Sequence, residues 1–163
     1  MTSGLILESE FRMAVTLPVT ETKVRVGKTT YGRGVFARRV IRKGSKIGNL
    51  SGRIIDDPSY GSEYCIDLGG TRSFEPRAPF RFLNHCCEPN CKLWLIEQEN
   101  KDGTPKPPKL ELHALRSIPV GEELRIDYAW GIENAIPCLC GVATCRGWVV
   151  AVTECNAKTG RFV

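Results

Sequence analysis

Residues 81–91 read RFLNHCCEPNC. Across their last eight positions, Asn84, His85, Cys86, Cys87 and Cys91 crowd around a Glu88-Pro89 turn. Cysteine and histidine this dense point to a metal site, a reactive thiol, or one half of a site completed elsewhere. A matching half lies further along the chain. CLCGVATC, residues 138–145, sets Cys138, Cys140 and Cys145 in a C-x-C-x4-C loop. A structural zinc ion takes four tetrahedral ligands, so three thiolates leave one vacancy. Cys86, Cys87 and Cys91 are all able to fill it, and His85 qualifies on chemistry; spacing does not choose among them. The plain alternative is that these cysteines are small buried apolar residues. It accounts poorly for three of them in one short loop around Gly141. A closed four-ligand site leaves no position for water or substrate. It would clamp the C-terminal segment onto the body of the domain, and any chemistry has to sit elsewhere.

The chain of 163 residues has the length of one ordinary domain, enough to bury a core without disulfide staples. Its 42% hydrophobic and 25% charged content fit a globular protein. Net charge is +5, with Lys and Arg dispersed along the chain. No direct nucleic-acid site is expected from that pattern, whereas a groove for a basic peptide is compatible with it. The opening MTSGLILESEFRMAV lacks a basic n-region, and Glu8, Glu10 and Arg12 interrupt its apolar residues, so it does not resemble a signal peptide. No run approaches the roughly 18–20 apolar residues of a membrane span. The expectation is an intracellular protein with reduced thiols, nuclear or chromatin-associated in a eukaryote and cytoplasmic in a bacterium or archaeon. In that setting the eight cysteines favour metal over disulfides.

From Lys23 onward, short apolar runs alternate with turns. KVRV (23–26), YGRGVFARRVI (31–41), IGNLSGRII (47–55) and EYCIDL (63–68) fit short strands, and 76–84 a short helix or turn. CKLWLIEQ (91–98) and LELHALRSI (110–118) fit a hairpin with an exposed, proline-rich connection. In GEELRIDY (121–128), Leu124, Ile126 and Tyr128 share one strand face. Alone, that pattern means a core strand ending in a hydrogen-bonded phenol. The fold class is mainly β, made of short strands in small sheets with few short helices.

Several separated motifs agree. GRGVFA (32–37), RFLNHCCEPNC (81–91), GEELRIDY (121–128) and CLCGVATCRG (138–147), in this order, resemble the SET-domain protein lysine methyltransferases with a post-SET zinc loop. The likeness runs from about residue 24 to 148. No cysteine precedes Cys65, so a cysteine-rich pre-SET segment is not expected. The resemblance implies an N-terminal extension over 1–22 and a SET-domain (β-clip) fold over 23–130. It implies a C-terminal pseudoknot, with a post-SET zinc-binding segment and tail over 131–163. The implied methyl donor is S-adenosylmethionine, with Tyr31, Gly32, Arg33, Gly34, Tyr64, Arg81, Phe82, Asn84 and His85 around it. Tyr128 matches the catalytic tyrosine of the methyl-transfer channel, and Tyr64 a second active-site tyrosine. The family motif selects Cys87 as the zinc ligand that joins Cys138, Cys140 and Cys145. Cys86 then stands where a small residue is usual, and Cys91 and Cys155 receive no role. The implied substrate is a lysine-bearing protein or peptide, with histone tails among the candidates.

Methyl transfer to lysine is an in-line displacement. It needs alignment of the partners and an unprotonated amine, which a desolvated channel and a nearby positive sulfur both favour. The sequence departs from the family pattern at Ile126, where many members carry Phe or Tyr. Without a hydroxyl to hold a water beside the amine, a roomier channel and di- or trimethylation are expected. Leu50 replaces a common tyrosine, and Ala78-Pro79-Phe80 replaces the usual approach to Arg81. The competing interpretation is a catalytically silent, zinc-clamped interaction module. A thiol hydrolase using Cys86 and His85 fails, because neighbours on a strand point apart and no third orienting group is evident.

Overall fold

The computed structural model describes residues 22–156 and 161–162; the N-terminal extension expected over 1–22 lies outside them except for residue 22. Alternation between turns produces short strands. β1 (Val24–Thr29) and β2 (Gly32–Ala37) form a hairpin. β3 (Lys46–Asn49), β4 (Gly52–Asp56), β5 (Ile66–Asp67) and β6 (Arg72–Pro76) follow. A single 3-10 turn, Phe80–Phe82, leads into β7 (Asn84–His85). Then come the long pair β8 (Cys91–Glu99) and β9 (Pro105–Ala114), and β10 (Glu123–Ile126). Two more 3-10 turns, Ile132–Asn134 and Val152–Glu154, flank the cysteine loop, and β11 (Cys155–Asn156) pairs with β12 (Arg161–Phe162). The larger sheets run in the orders β1-β2-β10-β7, β3-β9-β8 and β4-β6-β5. No helix among the described residues is long and apolar enough to cross a membrane.

Their inner faces share one core, centred on Val35, Ile41, Leu112, Ile118 and Leu124. Leu124 and Ile126 both point into it, as the alternation predicts, and Tyr128 packs against it just beyond the strand end. The pairing that builds the site is β7 with β10. It is parallel, with Asn84 beside Arg125 and His85 beside Ile126, and Cys86 N–H extends it by donating to the Ile126 carbonyl at 2.8 Å. A parallel pair needs a crossover connection, here the whole β8–β9 hairpin. That pair brings the Asn-His and Asp-Tyr segments together, as the expected pseudoknot requires.

Three local expectations are corrected. IGNLSGRII is two strands, because Leu50 and Ser51 carry the chain from one sheet to another. EYCIDL forms a strand only at Ile66–Asp67. Ser62 captures the two preceding residues in a turn, accepting the Cys65 N–H on its carbonyl at 3.4 Å and the Tyr64 N–H on its hydroxyl at 3.2 Å. The proline-rich stretch belongs to β9 and not to the connection, which spans only residues 100–104. β3 pairs β9 only from Glu111 onward, and the β8–β9 register shifts between Ile96 and Gln98. Pro105 lies at a strand start, and Pro107 and Pro108 lie opposite that shift, where a missing N–H breaks no ladder.

Candidate active site and metal centre

Of the residues expected around a methyl donor, Gly32, Arg33 and Gly34 lie on β2, Arg81 and Phe82 on the turn before β7, and Asn84 and His85 on β7, while Tyr31 precedes β2 and Tyr64 lies in the turn before β5. Asn84 Nδ2 donates to the Arg33 carbonyl at 2.9 Å and to Glu123 Oε1 at 2.6 Å, tying β7 to β2 and β10. The Arg33 guanidinium lies 5.2 Å from the centre of the Phe82 ring, and Phe82 meets Tyr64 edge-on at 6.1 Å. Tyr31 is 72% exposed at the hairpin tip. The two glycines of GRG differ. Gly32 has φ +127, and a side chain there would meet nothing within 4 Å. Gly34 is buried, and a Cβ there would lie 2.4 Å from Glu123 Oε1. Its missing side chain therefore makes room for the carboxylate that holds Asn84.

Tyr64, Arg81 and Tyr128 line a neighbouring cleft of about 700 Å³, together with Ile126 and Trp130. Arg81 lies 4.2 Å from the Tyr64 ring centre and 3.6 Å from Glu75 Oε1. Glu63, Asp67 and Glu133 also line the cleft and give it an acidic character. Tyr128 stands at the junction with the first group. Its hydroxyl donates to the Leu83 carbonyl at 2.7 Å, its N–H donates to His85 Nδ1 at 3.2 Å, and its ring lies 5.2 Å from Trp130. Burial, then the charge of Glu123 and the proximity of Tyr64, pushes the phenol up to about 12. It is a neutral dipole near pH 7.

His85 joins this centre to the thiols. With Nδ1 accepting from Tyr128, the ring proton sits on Nε2, 3.5 Å from Cys87 Sγ. Burial is the main cause that lowers the imidazole pKa; Asp127 opposes it, Arg146 and Arg125 add to it, and the net direction favours the neutral ring.

The ligand atoms of Cys87, Cys138, Cys140 and Cys145 all lie within 4.8 Å of one another. Cys87 Sγ is 3.7 Å from Cys138 Sγ and 4.0 Å from Cys145 Sγ. A tetrahedral ion with zinc–sulfur bonds of about 2.3 Å sets its sulfurs about 3.8 Å apart, so the donor set fits zinc. Burial pushes Cys87 up to about 11. For Cys140 burial acts the same way, but N–H groups of Cys87 and Val142 and the thiols of Cys138 and Cys145 hold it near 6. Cys86 and Cys91 are buried and outside the cluster; the Cys86 thiol donates to the Glu88 carbonyl at 3.3 Å. Only the backbone of Cys155 falls within the described residues.

Three residues with site roles carried no assignment from sequence. Asn90, 2% exposed, ends the Glu88-Pro89 turn. It donates to Glu122 Oε1 and the Glu123 carbonyl, both at 2.7 Å, and accepts the Arg125 N–H at 2.8 Å. Glu123 holds Asn84. Arg146, buried directly after Cys145, binds Asp127 Oδ1 at 2.7 Å and the Val150 carbonyl at 2.8 Å. Each belongs to a quoted motif, but polar residue types signal surface unless their partners are known.

The SET domain family matches residues 32–129. A histone-lysine N-methyltransferase of Cryptococcus neoformans var. neoformans serotype D, named as H3 lysine-4 specific, is 36% identical over 164 residues, covering 88% of this chain and 11% of that protein. The human histone-lysine N-methyltransferase SETD1A is 43% identical over 68 residues, covering 41% of this chain and 4% of that protein. The chain thus spans between 4% and 11% of the length of these relatives. Among solved structures, KRYPTONITE in complex with mCHH DNA, H3(1-15) peptide and SAH shares the fold. Its TM-score is 0.66 at 21% identity, over 77% of this chain and 29% of that one. With more than half of its residues matched and the same fold around them, this chain belongs to the SET domain family.

Proposed function

We propose that this chain is an S-adenosylmethionine-dependent protein lysine N-methyltransferase acting on a basic histone tail in the nucleus, with lysine 4 of histone H3 the first candidate. The observation that carries this reading is the parallel β7–β10 pair. It sets Asn84 and His85 at the base of the segment that ends in Tyr128, where the glycine hairpin and the acidic cleft adjoin. The names and 36% identity of the fungal relative support the substrate class. So do the carboxylates of Glu63, Asp67 and Glu133, which complement a lysine-rich tail.

Gly32, with open space where a side chain would stand, and Asn84 fit the methyl donor, flanked by Tyr31, Arg33 and Phe82. The Asn84 amide oxygen has no partner among the described residues and is available to a donor ammonium. S-adenosylmethionine supplies a methyl group on a positive sulfur; a nitrogen–carbon bond forms as the sulfur–carbon bond breaks, and the electron pair stays on sulfur. The residues of this chain arrange the other partner. Ile126 and the Tyr128 ring give the amine a poorly solvated environment that favours its neutral form. The Tyr128 hydroxyl donates to Leu83, so its lone pairs are left to orient the amine. It is not the base, because its pKa stays near 12. Carbonyl oxygens add weak C–H···O contacts to a polarised methyl. The four cysteines would hold zinc as a structural clamp.

Calorimetry with S-adenosylmethionine, followed by mass spectrometry of histone peptides, tests the proposal. Tyr128→Phe is expected to bind the donor normally and lose about a hundredfold or more in transfer. Donor binding with no transfer to any histone or lysate protein would instead identify a silent interaction module.

A further inference from the structure

We infer that Arg146 is a positioning residue for Tyr128, acting through Asp127; the inference rests on the methyltransferase reading above. Arg146 follows a proposed zinc ligand, yet its side chain is only 4% exposed and does not line the cleft. A buried guanidinium needs partners, and these lie on both halves of the site. Nη2 donates to Asp127 Oδ1 at 2.7 Å and to the Val150 carbonyl at 2.8 Å. Nη1 lies 3.5 Å from the Cys87 carbonyl, and the Arg146 N–H lies 3.4 Å from Cys87 Sγ.

The Asp127 oxygen has a second task. It accepts the Ala129 N–H at 3.1 Å. Ala129 has φ +50, a left-handed conformation that a residue with a Cβ adopts only when its surroundings enforce it. The main chain is therefore held on both sides of the catalytic tyrosine. His85 holds the Tyr128 N–H, and Asp127 holds the next one. Arg146 fixes Asp127 and, through Cys87, ties that grip to the metal clamp. Without the guanidinium, Asp127 is free to turn to solvent. The left-handed turn then loses its support, and the Tyr128 hydroxyl drifts from Leu83.

The test compares Arg146→Gln, Arg146→Lys and Arg146→Gln with Ala129→Gly, all in zinc-loaded protein. Zinc content, donor affinity, kcat on an H3 peptide and the ring resonances of ¹³C-labelled tyrosine are measured, with Tyr128→Phe giving the assignment. Arg146→Gln is expected to keep zinc, hold donor affinity within about threefold and lose about tenfold or more in kcat. Lysine cannot reproduce the planar fork, so Arg146→Lys restores only part. Ala129→Gly makes the turn favourable without touching Arg146, and is expected to return about fivefold of the lost kcat. The Tyr128 resonance shifts in Arg146→Gln and moves back in the double variant. Unchanged kcat in Arg146→Gln overturns the inference. So does a loss that merely tracks zinc release or unfolding, or a glycine that rescues neither kcat nor resonance. If the wild type transfers no methyl group, the proposed function fails, while the tyrosine resonance still decides whether Arg146 positions Tyr128.

Discussion

Replacing Asn90 with alanine is expected to destabilise the protein by about 4 kcal/mol, because the side chain stands in for a missing length of sheet. The Asn90 amide makes three hydrogen bonds to β10 and the residue before it, and two of those reach main-chain groups, the Glu123 carbonyl and the Arg125 N–H. Each buried main-chain group left unpaired costs about 1–3 kcal/mol, so two cost about 2–6. Glu122 contributes little to the loss, since Arg116 remains as its partner. A loss of about 4 kcal/mol is a large part of the 5–15 kcal/mol typical of a domain. With a urea slope of about 2 kcal/mol per molar, it moves the unfolding midpoint down by about 2 M. Tryptophan fluorescence in urea, with zinc in excess, reads the shift. Donor affinity is expected to fall in parallel, because β10 carries the Glu123 that holds Asn84. A midpoint shift below about 0.5 M would refute the reasoning, since neither main-chain group could then depend on Asn90.

Ile126 lines the cleft beside Tyr128, so exhaustive reaction of the wild type should yield di- or trimethyl lysine and Ile126→Tyr mainly monomethyl; monomethyl product alone from the wild type sinks the idea. Cys87→Ser should weaken zinc and donor binding together, because His85 bridges Cys87 and the Tyr128 N–H; zinc release with donor affinity untouched would show that the two sites are independent. The transfer rate should rise from pH 7 to about 10 as the substrate lysine, near 10.4 when free, loses its proton. Tyr128, held near 12 by burial, stays protonated throughout. A descending limb within that range in the pH–rate profile would mean that a group in the site must be protonated for turnover, contrary to this assignment.

The parts of this molecule written in local pattern were legible, and the parts written in partnership were not. Alternation located β1, β2 and β10, and cysteine spacing located three ligands, because period and ligand count are properties of short segments. The β7–β10 pair joins residues separated by a long hairpin and is only two residues wide. No periodicity reports so short a parallel pair, and only the family resemblance anticipated that its ends meet. EYCIDL has the composition of a strand, but a single serine diverts half of it into a turn that places Tyr64 in the cleft. Asn90 and Arg146 are the harder case. Their residue types belong on the surface in any composition-based argument, yet both are almost fully buried, and the contacts of Asn90 with β10 and of Arg146 with Asp127 run between segments far apart in sequence. Asp127 shows why such residues matter. As the polar neighbour in GEELRIDY it reads as the outward half of an alternating strand, but β10 ends at Ile126 and frees it to bind Arg146 and Ala129. The strand must stop at Ile126, two residues before the tyrosine, for that grip to form. Alternation through Tyr128 thus describes the face that these side chains share but not where the ladder ends.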